Sequence, residues 1–355
     1  MINKNSKIYI AGHTGLVGKS VHKLLINKGY KNILFRKSKD LDLRNQNDVD
    51  TFFKKNKPDY MVMCAARVGG IIDNRDYPLE FLLDNLSIEK NLLLAAKKYK
   101  IKRTIFLGSS CVYPKKSKTP IKESYLMSGK LEKTNDAMAL AKIVGIKLSA
   151  ILHEKYKRDI ICLMPTNLYG INDNFVIASS HVIPGMITKF LNAKKNKTHV
   201  KIWGTGKPVR EFIHVDDLAE AIFVTINVKS SYLKKIMNND LPIFNVGSGE
   251  SITIKKLAML IKKLTKFKGR ISFDKNYPDG TIKKNLDSKK IKLLNWTAKI
   301  KLSDGLKEII NKKNKKNYIW SIENNVSTIK SICLFFVMTV FSPIAKPRSS
   351  TSCAP

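Results

Sequence analysis

The chain has 355 residues, 43% of them hydrophobic, and carries 65 Lys+Arg against 28 Asp+Glu for a net charge of +37. So much apolar content excludes a disordered protein and suffices for one large or two closely joined domains. Only nine of the basic residues are Arg, the lysines run along the whole chain, and no RRM, zinc-finger or basic-zipper pattern accompanies them. General lysine enrichment is therefore the simpler account, no nucleic-acid partner is expected, and attraction of an anionic small substrate is a secondary reading.

Apolar runs of strand length alternate with amphipathic segments through the first half of the chain. Strands are predicted at "KIYIAG", "NILF", "YMVMCAA", "RTIFLGSS" and "DIICLMPTN". Between them "VGKSVHKLLINKG", "NDVDTFFKKNK", "NLSIEKNLLLAAKKYK" and "NDAMALAKIVGIKLSAILHEKYK" place apolar residues near a 3.6-residue period. The alternation predicts an α/β fold, a Rossmann-like doubly wound parallel sheet, with a smaller interrupted α/β substrate domain after Gly170, where turns and polar residues increase. "VDDLAEAIFVTI" and "IFNVGSG" are expected to return to the sheet. The expected division is 1–170 with 215–250 for the cofactor, 171–214 with 251–322 for the substrate, and a disordered tail over 323–355. Within that tail "SICLFFVMTVFSPIA" falls short of the roughly 18 to 20 apolar residues of a membrane helix, so no membrane association is expected.

Five cysteines show no CxxC or zinc-like spacing, so no metal site is predicted, and a reducing, cytoplasmic compartment is the default. The N-terminus runs directly into a strand, without the features of a signal peptide.

"YIAGHTGLVGKS" sets Gly12, Gly15 and Gly18 between the first strand and the first helix, with Thr14, Leu16 and Val17 completing the turn. Glycine is required where backbone must approach a pyrophosphate held at a helix N-terminus. The spacing is GxxGxxG, and its position at the first strand–helix junction makes it a dinucleotide site. The second strand is followed by Arg36, Lys37, Ser38 and Lys39, with no acid before Asp40. Positive charge there suits a 2′-phosphate, so NADP(H) is favoured over NAD, with Arg36 and Ser38 as candidate contacts. Asp42 either meets the adenine or forms a solvated turn. Ala65, Ala66, Pro165, Asn167 and Leu168, at the ends of later strands, are further candidates for the cofactor.

The segments "AARVGG", "FLGSSCVYP", "LEKTNDAMALAK", "MPTNLYG", "DNFVIASSHVIP", "WGTGKPVREFIHVDD" and "PDGTIKKNLD" together resemble the GDP-L-fucose synthase family, a branch of the extended short-chain dehydrogenase/reductases. The resemblance covers roughly residues 7 to 315. It implies epimerisation of GDP-4-keto-6-deoxy-D-mannose at C3 and C5, then reduction of C4 by NADPH. On the same resemblance Cys111 is the base and His181 the acid of epimerisation, residue types whose proton affinities suit the task. Ser109 matches the group that bonds the carbonyl oxygen as charge develops on it. Lys142 matches the lysine that holds the nicotinamide ribose, and His181 is also set beside the cofactor. Around the nucleotide Lys189, Trp203, Arg210 and Asp279 match. Arg210 is the strongest phosphate ligand by its planar fork, a surface ion pair with Glu211 or Asp216 being the alternative.

One position departs from the pattern. The family has a proton-donating tyrosine four residues before the lysine, and here that position is Met138, a thioether with no proton to give. Slowed reduction is the expected consequence. A related nucleotide-sugar epimerase and a catalytically silent NADP-binding homologue are the alternatives. The family also pairs two long helices from each subunit, so a homodimer through residues 82–99 and 135–157 is expected.

Overall fold

The computed structural model describes residues 2–177, 179–238 and 240–314. The chain divides into two compact units, Met1–Glu308 and Ile309–Pro355. The second is described only over 309–314, which are helical. The predicted tail over 323–355 lies outside the described residues.

In the first unit β1 (Ile8–Ala11) leads through a glycine turn into α1 (Leu16–Asn27), followed by β2 (Ile33–Leu34), α2 (Gln46–Asn56) and β3 (Tyr60–Met63). Two helices come next, α3 (Ile71–Asp76) and α4 (Pro78–Lys98), then β4 (Arg103–Leu107), α5 (Asp136–Tyr156), β5 (Ile160–Pro165) and β6 (Asn167–Tyr169). The chain continues through α6 (Val182–Asn196), β7 (Val200–Trp203), β8 (Val209–His214), α7 (Val215–Asn227), α8 (Ser230–Met237) and β9 (Ile243–Val246). It goes on with β10 (Ser251–Thr253), α9 (Ile254–Thr265), β11 (Ile271–Asp274), β12 (Lys283–Lys284) and α10 (Lys289–Lys292).

The main sheet is wholly parallel, in the order β2-β1-β3-β4-β5-β9. Strands β1, β4 and β5 are buried along their whole length, on both faces, which is why they read as largely continuous apolar runs. In β1, Ile8 and Ile10 enter one core with residues of α1 and α7, and Tyr9 and Ala11 enter the other with residues of α2, α4 and α5. The order turns back at β1, between β2 and β3, and the carboxyl edge at such a reversal is where ligands of these folds bind. Predicted returns at α7 and β9 are observed. β8 pairs with β10, β12 and β6, and β7 pairs with β11, forming two smaller sheets from the later chain. Among the described residues no helix is long and apolar enough to cross a membrane.

Candidate active site

At the β1–α1 junction Gly12 has φ +82°, and a Cβ there would lie 2.6 Å from the Ala65 backbone nitrogen. A Cβ on Gly18 would lie 2.2 Å from the Gly12 carbonyl oxygen, to which the Gly15 N–H donates at 3.1 Å. Glycine is thus forced at positions 12 and 18 by close packing of the turn, the start of α1 and the segment that follows β3. No side chain caps α1 at Gly15 and no acid occupies its first turn, which leaves the N–H groups around Leu16 and Val17 for an anion. This cradle fits a dinucleotide pyrophosphate. Thr14 and Gly15 are exposed at its lip, and Ala65 and Ala66 are half-buried beside it.

Past β2, Arg36, Lys37, Ser38 and Lys39 are all exposed. Arg36 donates to the Phe35 carbonyl at 2.7 Å, and the His13 ring stacks on Phe35 with centroids 4.5 Å apart. Asp42 opens the turn before α2, its carboxylate accepting from the Arg44 backbone N–H at 3.0 Å. Its carboxylate pairs with Arg44 at 2.9 Å, and that guanidinium holds it below the usual carboxylate range.

The carboxyl end of β4 carries Ser109 and Cys111, two of the residues the sequence singles out. Ser109 caps the short turn Ser110–Val112, its Oγ accepting from the Cys111 N–H at 3.2 Å. Cys111 Sγ receives Asn135 Nδ2 at 3.1 Å and Lys284 Nζ at 3.6 Å. Negative charge arising on this sulfur would meet an amide donor and a cation. Burial pushes the thiols of Cys64 and Cys162 up to about 12. β12 runs beside β8 with Lys284 opposite Arg210, so a second cation borders the site. Arg210 donates to the carbonyls of Val209 and Asp279, both at 3.0 Å. Burial lowers its pKa, while Asp279, Glu132 and Cys111 draw it back up. The ion-pair alternative for Arg210 is not observed. Glu211 accepts instead from the Gly249 and Leu286 N–H groups, and Asp216 lies by His214.

Met138 is half-buried on α5, one turn before Lys142, which is 4% exposed. Lys142 Nζ donates to the Leu107 carbonyl at 2.9 Å and pairs with Glu89 at 2.9 Å. Tyr113 is buried and donates to Asn245 Oδ1 at 2.6 Å, with burial holding its proton far above the ordinary range. Tyr125 is partly buried against the core that includes residues of α2, α4 and α5.

His181 is exposed at the N-cap of α6. Its loop is tied to the loop after β3, because the Gly70 N–H donates to the Ser179 carbonyl at 3.2 Å and a Cβ on Gly70 would lie 2.9 Å from the Ser180 oxygen. Among the described residues no hydrogen bond joins His181 to Cys111. Pro165 is buried at the end of β5, Leu168 is half-buried in β6, and Asn167 Nδ2 donates to the Glu211 carbonyl at 2.8 Å.

Lys189 Nζ sits 4.2 Å from the Trp203 ring centre, and Trp203 stacks on Tyr277 at 4.6 Å. Lys189, Asn196, His199 and Trp203 line an open cavity of about 270 Å³. Asp279 accepts from the Thr205 N–H at 2.8 Å and its hydroxyl at 2.6 Å, so its carboxylate shapes a turn beside Arg210. Sequence reasoning missed Asn135, Lys284 and Glu89. The first two lie inside motifs quoted for other residues, and Glu89 was visible only as a charge on a helical stripe that is otherwise buried.

Residues 8–247 match the NAD dependent epimerase/dehydratase family. The chain belongs to this family. Two epimerase/dehydratase relatives show how far the likeness runs. It is 44% identical over 327 residues to a putative GDP-L-fucose synthase 2 of Arabidopsis thaliana, covering 92% of this chain and 94% of that one. With the GDP-L-fucose synthase of Escherichia coli it shares 40% over 322 residues, 90% and 97% of the two chains. The NADP-bound GDP-mannoheptose C4 reductase of Campylobacter jejuni superposes with a TM-score of 0.79 at 33% identity, covering 88% of this chain and all of that one.

Proposed function

We propose that this chain is an NADPH-dependent GDP-L-fucose synthase that epimerises C3 and C5 of GDP-4-keto-6-deoxy-D-mannose and reduces C4, with the reductive step slowed by Met138. The observation that carries the reading is Cys111, with Asn135 at 3.1 Å and Lys284 at 3.6 Å from its sulfur, next to Ser109 at the mouth of the glycine cradle's sheet. The cofactor is NADP(H), and the exposed cations after β2 suit its 2′-phosphate.

A C4 ketone acidifies the hydrogens on both neighbouring carbons. Cys111 as thiolate takes one, and His181 returns a proton to the opposite face. Ser109 uses a lone pair on the Cys111 N–H, which leaves its O–H to donate to the enolate oxygen, a contact worth about 3 kcal/mol in comparable sites. When bound, reduced nicotinamide supplies the hydride for C4. Lys142 holds the ribose, and Arg210 and Lys189 meet the diphosphate. Residues 1–170 with 215–250 are assigned to the cofactor part, and 171–214 with 251–322 to the sugar part, the stretch after 314 lying outside the described residues. Leu83 on α4 and Leu140, Val144 and Ile151 on α5 are exposed apolar residues, which supports a homodimer through these helices. The compartment is the cytoplasm.

The test is conversion of the keto sugar by purified protein in deuterated water, scored for label at C3 and C5 and for reduced product. Label at both carbons with slow reduction is expected. NADPH binding without any label would favour the silent homologue that Met138 also permits.

A further inference from the structure

One buried charged group plays no part in the reaction described above. Glu89 on α4 is 2% exposed, and apart from its ion pair with Lys142 neither carboxylate oxygen meets a hydrogen-bond donor. α5 makes room for it. A Cβ on Gly145 would lie 2.3 Å from Glu89 Oε2 and 2.5 Å from the Phe106 ring, so a glycine is kept inside a helix, where alanine is otherwise preferred. Buried ion pairs are commonly matched or bettered in stability by apolar residues of similar volume, so stability alone gives no reason for this one. Burial pushes the Glu89 carboxyl upward, and the Lys142 ammonium pulls it back.

We propose that Glu89 is a positioning residue, which, with the Leu107 carbonyl, fixes the Lys142 ammonium from beneath so that its remaining N–H serves the cofactor. Two of the three N–H groups of Lys142 are engaged at 2.9 Å each, by Glu89 and by Leu107 at the carboxyl end of β4. A tyrosine one turn earlier would otherwise help orient this amine, and Met138 cannot. Glu89 is the one carboxylate that Lys142 pairs with among the described residues. The inference rests on the reading that Lys142 binds the cofactor.

The experiment is a double-mutant cycle on the full chain, with the NADPH Kd read from nicotinamide fluorescence and the GDP Kd as control. Glu89→Gln is expected to raise the NADPH Kd by roughly tenfold, the loss of one charge-supported contact. GDP binding should stay within about twofold. In a Lys142→Met background the same change should add less than about twofold, because Glu89 then has nothing to position. An equal loss in both backgrounds, or no loss in the first, overturns the proposal. If Glu89→Gln does not fold, Glu89→Asp carries the test, since it keeps the charge but withdraws it by one methylene. A folded Asp variant with an unchanged NADPH Kd overturns the proposal as well. Failure of the unmutated protein to bind NADPH is a different result and removes the underlying reading of Lys142.

Discussion

Met138 and Cys111 divide the proposed reaction into two halves that can be lost separately. A positioned general acid contributes about 10²- to 10⁴-fold, so Met138→Tyr should raise NADPH oxidation with the keto sugar by a factor of that order and leave deuterium uptake nearly unchanged. Equal rates before and after the substitution would mean that some other group already donates the proton. Cys111→Ser makes the opposite cut. A hydroxyl gives up its proton far less readily than a thiol, so uptake of label at the carbons it serves should disappear while NADPH still binds; persistence of label would dismiss Cys111 as the base. Lys189 offers a pH signature. Burial lowers its pKa below the ordinary lysine value, with Asp274 opposing. A diphosphate favours the charged amine, so GDP affinity should fall as pH rises through that lowered pKa, before an exposed lysine would titrate. In Lys189→Arg, whose guanidinium stays protonated, a titration of GDP affinity against pH should lose this alkaline decline.

At the scale of elements, the turn between β1 and α1 depends on backbone contact more than on any side chain. In Gly18→Ala the added methyl would stand 2.2 Å from the Gly12 carbonyl, and backbone cannot yield there as a flexible side chain can. We expect a loss of about 1–3 kcal/mol in denaturant melts together with weakened NADPH binding; unaltered values for both would show the junction to be looser than drawn. This junction and the main sheet were legible in the sequence because strands buried on both faces are continuous apolar runs and the covering helices keep a 3.6 period. The start of α4 was not. Its first turn follows the short α3 directly, and Pro78, a good N1 residue, marks the boundary that periodicity alone put near Asn85. The pairing of β8 with β6, β10 and β12 was also hidden, since these strands are short and come from separated stretches of the chain. That pairing is what brings Lys284 to Cys111, and no local pattern in "TIKKNLD" announces it. Glu89 is a partial exception: Phe81, Asn85, Glu89, Leu92 and Ala96 share the buried side of α4, so an acid on that stripe called for a partner.

For the molecule as a whole, a net charge of +37 acts in two directions at once. Its ion pairs, such as Lys98–Asp50 and Lys201–Asp274, are mostly solvent-exposed on the lysine side and contribute little each, so excess positive charge mainly repels itself in the compact state. Screening should relieve that repulsion. The Debye length shrinks from about 10 Å at 0.1 M to about 3 Å at 1 M, so raising sodium chloride across this range should raise the thermal midpoint by a few degrees. The same screening weakens long-range attraction of an anionic nucleotide sugar, so KM should rise with salt while kcat changes little. The opposite signs are the diagnostic. A hydrophobically limited protein with a locally bound substrate would show neither salt effect at these concentrations, and a midpoint that falls with sodium chloride would mean that the exposed ion pairs outweigh the repulsion. Sodium chloride is preferable to sulfate or phosphate for the measurement, because an oxyanion would compete for Arg210, Lys189 and the glycine cradle and confuse the two terms.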